Sequence, residues 1–264
     1  MDEVVRSSNP AEIYHARFVP ALFAHWPPRV LAAARVTAGD RVLDVGCGTG
    51  VLACAAASRV GATGAVTGLD ASPEMLAVAR RQPCAVTWHE GRAEALPYPD
   101  GAFDKVVSQS ALMFFDPRAQ ALREMLRVVR PGGRLAVHAF DAIERATAYG
   151  ALAGLLTDLF GVRYGDALRP PFALGDRDEL AGLFVEAGAA DIEVVTEPGL
   201  VRFASLDAMI STERACVWTL GGLLDEAQFA RLREAAGPVL APWVRPGGAV
   251  EFDCPAHIVT AARR

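Results

Sequence analysis

The sequence predicts an α/β protein built on a mostly parallel sheet with helices on both faces, and three observations carry that reading. Short apolar runs alternate with helical stretches from about Gly39 to His138. A three-glycine turn joins the first of these runs directly to an apolar helix. The 264 residues are 52% hydrophobic, ample for one large core.

The strand candidates are RVLDV (41–45), AVTGL (65–69), AVTWH (85–89), FDKVVS (103–108) and RLAVHA (134–139). The helices between them mark their own starts. Ser72-Pro73-Glu74 supplies a cap, a first-turn proline and an acid, and Asp116-Pro117 is expected to do the same for the next helix. In that second helix Ala121, Leu122, Met125, Leu126 and Val129 recur at three- and four-residue spacing, a stripe suited to burial. The RPGG of 130–133 then breaks the helix and starts the next strand. Asn9-Pro10 predicts an earlier helix, which Pro20 should end or bend. Beyond Asp141 the rhythm changes to a helix near 146–160, a Gly/Pro-rich turn, a helix near 176–187, a strand DIEVV (191–195), a helical stretch over 205–241 and a last strand AHIVTAA (256–262).

Composition excludes several function classes. A net charge of −5 disfavours a nucleic-acid or anionic-membrane partner, because both need clustered positive charge. The uncharged runs 146–157 and 215–224 are short of the roughly 20 apolar residues that span a bilayer. The opening MDEVVRSSNPAEIY has no apolar stretch beside basic residues, so it does not read as a secretory leader, and a cytoplasmic location follows as the default expectation. The five cysteines are scattered, with no C-x-x-C pair and no metal spacing, and are expected to be reduced thiols with no metal bound.

The glycine turn, VLDVGCGTG (42–50), lies where ligands of open α/β sheets bind, beyond the carboxyl ends of the strands. A dinucleotide G-x-G-x-x-G fails in either register, since 51 is valine and 53 is alanine, and no G-K-[ST] follows. Asp70 ends the second strand, where an acid can accept from both hydroxyls of a ribose. Asp44, at the tip of the first strand, suits a cationic ammonium. The two acids together read as a site for an adenosine with a positively charged amino-acid tail. A purely structural turn is the competing reading of the glycines.

The segments VLDVGCGTG, VTGLDASPEMLAVAR, GRAEALPYPDGAFDKVVSQSALMFF and REMLRVVRPGGRLAV follow one another as they do in class I S-adenosylmethionine-dependent methyltransferases. The chain is most similar to the branch holding the ubiquinone and menaquinone C-methyltransferases and many small-molecule methyltransferases. The resemblance covers about 38–139 and weakens after Asp141. It implies a Rossmann-like seven-stranded sheet whose last strand is antiparallel. With no linker or repeat in the insertions, the chain reads as one domain over 1–264: an N-terminal helical cap (1–37), a cofactor-binding core (38–140) and lid or substrate insertions (141–175 and 197–250).

Carried onto this chain, the resemblance gives Gly46, Cys47, Gly48 and Gly50 the backbone contacts to the methionine part of S-adenosylmethionine. It places Asp44 by the amino group, Asp70 on the ribose, and Ala71 and Met75 beside the adenine. Ser108, Gln109 and Ser110 fall near the methionine and sulfonium. Tyr14 has two readings, a residue closing over the cofactor or a core aromatic. At the adenine wall the family has glycine, aspartate, alanine, glutamate where this chain has Gly91-Arg92-Ala93-Glu94. A guanidinium only donates, so Arg92 cannot replace the acceptor for the adenine amino group, whereas the Ala93 N–H can still serve. Arg92 is expected to stack on the adenine or turn out to Glu90 or Glu94.

Methyl transfer from a sulfonium is an in-line displacement that depends chiefly on alignment and on exclusion of water. No general base is identified; His138, ending the fifth strand, is the best-placed histidine, with a structural role as its alternative. The Asn/Asp-Pro-Pro-aromatic tetrad of base and glutamine N-methyltransferases is replaced by Ser108-Gln109-Ser110-Ala111, and no carboxylate cluster for a metal follows. What is left is a small organic acceptor methylated at O, N or C, a phenol, quinone or similar molecule. A cofactor-binding or regulatory protein without catalysis is the alternative.

Overall fold

The computed structural model describes residues 9–216 and 218–263. Residues 1–8, which bear on the reading of the N-terminus and on the first part of the 1–37 cap, lie outside the described residues, as do Val217 and Arg264. The chain separates into two compact units, one of 23–139, 176–196 and 257–264, the other of 1–22, 140–175 and 197–256.

The strands run β1 (Arg41–Val45), β2 (Ala65–Asp70), β3 (Thr87–Glu90), β4 (Phe103–Gln109), β5 (Val129–Phe140), β6 (Ala190–Glu197), β7 (Leu200–Phe203), β8 (Val250–Asp253) and β9 (Ala256–Ala262). Seven of them form one sheet in the order β3-β2-β1-β4-β5-β9-β6, mostly parallel with one antiparallel strand, which bears out the predicted architecture. The order reverses direction between β1 and β4. In open α/β sheets such a switch point is where helices leaving the two strands depart to opposite faces and leave a crevice at the carboxyl ends. β1 lies parallel to β2 (Asp44 opposite Gly68) and to β4 (Asp44 opposite Val107), and Gln109 of β4 lies opposite His138 of β5.

The helices are α1 (Pro10–Ile13), α2 (Pro27–Ala33), α3 (Val51–Val60), α4 (Pro73–Ala79), α5 (Arg118–Val128), α6 (Thr147–Phe160), α7 (Val162–Asp166), α8 (Arg177–Glu186), α9 (Leu206–Ala215) and α10 (Glu226–Leu240). In the first unit α2 and α3 pack Val30, Leu31, Leu52, Ala53 and Ala56 against Val42, Val66, Val107 and Ala136 of the sheet. Alanines on α3 let the helix lie close to the strands, and this closeness places its N-terminus at the end of β1. Ala121, Leu122, Met125 and Leu126 form the buried stripe of α5, as the spacing predicts.

Three local expectations change. Asn9 and Ser72 cap their helices, accepting the N–H of Ala11 and of Met75, but α5 starts at Arg118 with Pro117 at the cap position, so Asp116 is one residue too early to cap it. Pro20 does not end its helix; it lies inside a π-helical stretch, Tyr14–Phe23. The RPGG of 130–133 follows the end of α5 at Val128 and lies at the start of the long strand β5, as expected. Lastly, Cys54 of α3 and Cys84 are joined in a disulfide with their Cα atoms 5.3 Å apart. Reduced thiols were expected for all five; Cys47, Cys216 and Cys254 are free and buried. Thirty residues separate the bonded pair, and only the return of the chain through β2 and α4 to the edge of the sheet brings them together.

The second unit holds α6, α7, α9 and α10 with an antiparallel ribbon, β7 on β8, that the sequence reading did not anticipate. Its buried polar centre is Tyr149 of α6, whose hydroxyl donates to Oε1 of Glu213 on α9 at 2.6 Å.

Candidate functional site

The glycine turn leaves β1 with three left-handed glycines at alternate positions, at φ +71 (Gly46), +52 (Gly48) and +92 (Gly50). Space as well as φ requires two of them. A Cβ on Gly46 would lie 2.5 Å from Cβ of Ala111, and one on Gly50 would lie 2.6 Å from the Trp88 ring. A Cβ on Gly48 would meet nothing within 4 Å. At that point the backbone faces open space, as a loop that lets a ligand approach closely must.

Asp70 ties this turn to the end of β2. Its Oδ2 accepts the N–H of Gly48 at 2.7 Å and its Oδ1 accepts the N–H of Ser72 at 2.9 Å. The N–H groups of Gly46 and Cys47 both reach the carbonyl of Leu69, at 2.8 and 3.0 Å. Asp70 therefore shapes the loop as well as ending the strand. Burial raises its carboxyl above the usual range, against the pull of its N–H donors.

Asp44 is buried, 1% exposed, and neither of its carboxylate oxygens is hydrogen-bonded to another described residue. Burial first and the Asp70 carboxylate second push it up to about 8, with the nearby Ala53 N–H offsetting part of the rise. A buried acid without a partner lowers stability unless a cation is brought to it. An α-ammonium group is such a cation, so Asp44 fits the amino end of S-adenosylmethionine. Cys47 lines the same turn, its thiol held well above the ordinary range by burial and by the two aspartates.

Of the residues expected beside an adenine, Met75 and Ala93 are buried, at 5% and 4% exposure, and Ala71 is exposed. Arg92 turns outward. Its side chain is 68% exposed and its Nε lies 3.3 Å from Oε2 of Glu94, one of the two orientations expected away from the adenine. The loop it sits on is clamped by residues the sequence reading passed over. Arg127 of α5 donates to the carbonyls of Leu96 (3.0 Å) and Tyr98 (2.7 Å), and Glu124 accepts the N–H of Leu96 at 2.8 Å. Their i, i+3 spacing on one helix signals an ion pair between them but not their reach to this loop. Trp88, which packs against both Gly50 and Gly68, gave none beyond its strand position.

The three residues closing β4 divide their work. The Ser108 hydroxyl, fully buried, donates to the carbonyl of Val45 at 2.7 Å and so fastens β4 to β1. Gln109 donates through Nε2 to the carbonyl of Phe23 at 3.1 Å, leaving Oε1 without a hydrogen-bond partner among the described residues. Ser110 has φ +54 and places its hydroxyl 2.9 Å from Nδ1 of His138. His138 is fully buried with its ring 4.4 Å from that of Trp26; burial and neighbouring His25 lower its pKa to about 3. Tyr14 belongs to the other unit, where its ring contacts Phe18 at 6.1 Å and Trp218 at 5.8 Å.

Comparison with known proteins follows the same outline. A family model described as a methyltransferase domain matches residues 43–137, from β1 to β5. The demethylmenaquinone methyltransferase of Shouchella clausii is 32% identical over 190 residues, covering 66% of this chain and 80% of that enzyme. The chain belongs to the class I S-adenosylmethionine-dependent methyltransferases. As a methyltransferase it is also 36% identical, over 157 residues, to the chloroplastic 2-phytyl-1,4-beta-naphthoquinone methyltransferase of Arabidopsis thaliana, covering 52% of this chain and 60% of the relative. It thus spans little more than half of that relative's length. Among solved structures the YcgJ protein of Bacillus subtilis superposes with a TM-score of 0.60 at 21% identity, over 91% of this chain and 99% of that one, a likeness of fold alone.

Proposed function

We propose that this methyltransferase moves a methyl group from S-adenosylmethionine to a small, fairly apolar, oxygen-bearing ring such as a quinol or phenol. The observation that carries the cofactor part is the Asp44–Asp70 pair flanking a left-handed glycine turn: one acid without a partner, the other holding the loop open. The acceptor class draws its support from the two relatives named for naphthoquinone-type substrates.

S-Adenosylmethionine, when bound, supplies a methyl group on a positively charged sulfur. In our reading Asp44 binds the amino group, Asp70 the ribose, Met75 and Ala93 the adenine, and the glycine turn the methionine backbone. Gln109 and Ser110, closing β4, orient the acceptor. Orientation and exclusion of water are the main demands of such a displacement, and these residues meet them with neutral groups. His138, at about 3, stays uncharged at neutral pH and is a weak proton acceptor, so the acceptor's proton leaves to water.

The alternative, a cofactor-binding protein without catalysis, rests on Arg92 and on the lack of an assigned base. The outward Arg92–Glu94 pair weakens the first ground. Incubation with methyl-labelled S-adenosylmethionine and a panel of quinols, phenols, amines and carboxylates tests the proposal. Label on an oxygen-bearing ring together with S-adenosylhomocysteine supports it, and silence across the panel despite cofactor binding favours the alternative.

A further inference from the structure

Ser110 adopts a backbone conformation that serine rarely takes, φ +54, directly after β4 and at the end of the sheet where ligands bind. Strain of this kind persists where the surroundings over-determine it. Here they do so twice through the same partner. The Ser110 N–H donates to the His138 carbonyl at 3.0 Å, and the Ser110 hydroxyl meets His138 Nδ1 at 2.9 Å. His138 in turn is fully buried against Trp26, while Ser110 is only half-buried. A rigid imidazole thus holds a partly accessible hydroxyl in one rotamer.

We propose that Ser110, fixed by His138, hydrogen-bonds an oxygen on the acceptor ring and so sets which acceptor atom faces the donor methyl, with His138 a positioning residue. The inference rests on the methyltransferase reading and adds the acceptor chemistry. Ser110 both donates and accepts, and neighbouring Gln109 keeps Oε1 without a hydrogen-bond partner among the described residues. A hydroxyl or carbonyl on the acceptor complements that pair, whereas a cationic amine would call for a carboxylate at this position. The groups acting electrostatically on His138 are His25, His257 and Arg29; each, when protonated, disfavours a charged imidazole, so the pair works uncharged.

Ser110→Gly is the informative variant, because it removes the hydroxymethyl side chain while glycine accepts the left-handed conformation without strain. Protein saturated with S-adenosylhomocysteine is titrated with 1,4-naphthoquinol, kept reduced, and with naphthalene, which lacks the oxygens. We expect wild type to prefer the quinol, Ser110→Gly to lose about tenfold in quinol affinity, and naphthalene binding, S-adenosylhomocysteine binding and melting temperature to be preserved. His138→Gln, which can still bond the hydroxyl, should keep most of the preference, and His138→Leu should lose it. Imidazole resonances of His138 should not titrate between about pH 5.5 and about pH 8. Unchanged quinol affinity in Ser110→Gly, no preference over naphthalene in wild type, or titration of His138 in that range would overturn the proposal. Failure of wild type to bind S-adenosylhomocysteine would defeat the underlying methyltransferase reading instead.

Discussion

Asp70 accepts the N–H of Gly48 at 2.7 Å, which makes the acid at the end of β2 part of the glycine turn that follows β1. The residue assigned to the ribose therefore also keeps open the loop assigned to the methionine. Asp70→Ala removes both functions and should weaken S-adenosylhomocysteine binding by about tenfold or more, on the order of 1.5 to 3 kcal/mol. Asp70→Asn can keep one loop contact and should lie between wild type and alanine. Calorimetric affinities for the two variants check the order, and equal affinity in Asp70→Ala contradicts the ribose assignment.

Asp44 gives the cofactor-free protein a pH dependence of known sign. Its carboxyl, at about 8 in the fold against about 4 in the unfolded chain, retains a proton that the unfolded chain has lost. Its contribution to stability is thus full below about pH 4 and declines as pH rises toward about 8. A bound ammonium lowers that pKa again. The rise in melting temperature caused by S-adenosylhomocysteine should therefore grow between about pH 6 and about pH 8, with proton release on binding, and Asp44→Asn should flatten the trend. Melting curves across that range measure it.

Arg92 has become a narrower question than the sequence made it. Exposed and paired with Glu94, it neither fills the adenine side nor contributes much to stability, as exposed ion pairs are worth about 0 to 1 kcal/mol. Arg92→Ala should change cofactor affinity by less than about twofold, whereas Arg92→Asp should tighten it by up to about tenfold by restoring an acceptor for the adenine amino group. Calorimetry on the pair decides whether the amino contact is simply missing, and no gain in the aspartate variant would show that it is supplied elsewhere.

The sheet was legible in the sequence because buried parallel strands leave unmistakable apolar runs, and the glycines and acids of the site fall at their carboxyl ends, where connectivity alone fixes position. Arg127 and Glu124 were missed for the opposite reason. Their effect comes from reaching across about thirty residues to the carbonyls and N–H of the adenine-side loop, a relation that no local pattern records. The same holds for Ser108, whose hydroxyl is spent on Val45, and for Ser110, whose left-handed backbone is dictated by His138 across the sheet. The β7–β8 ribbon escaped because its two strands are only four residues long and lie some fifty residues apart.

The Cys54–Cys84 disulfide closes a loop of 30 residues and joins α3 to the segment before β3. Loops of this size give about 2 to 4 kcal/mol, chiefly by restricting the unfolded chain. The paired Cys54→Ser, Cys84→Ser variant should melt at a lower temperature than wild type. Thiol titration of unfolded, unreduced protein should find three of the five cysteines free, and five would exclude the bond.

The central claim is that the crevice at the ends of β1 and β2 holds S-adenosylmethionine. Its most direct test is calorimetric titration of the whole chain with S-adenosylhomocysteine, wild type beside an Asp44→Asn, Asp70→Asn double variant. Saturable one-site binding in wild type, weakened by about a hundredfold in the double variant, is the predicted result. No heat in wild type at millimolar ligand, or equal affinity in both proteins, would contradict it.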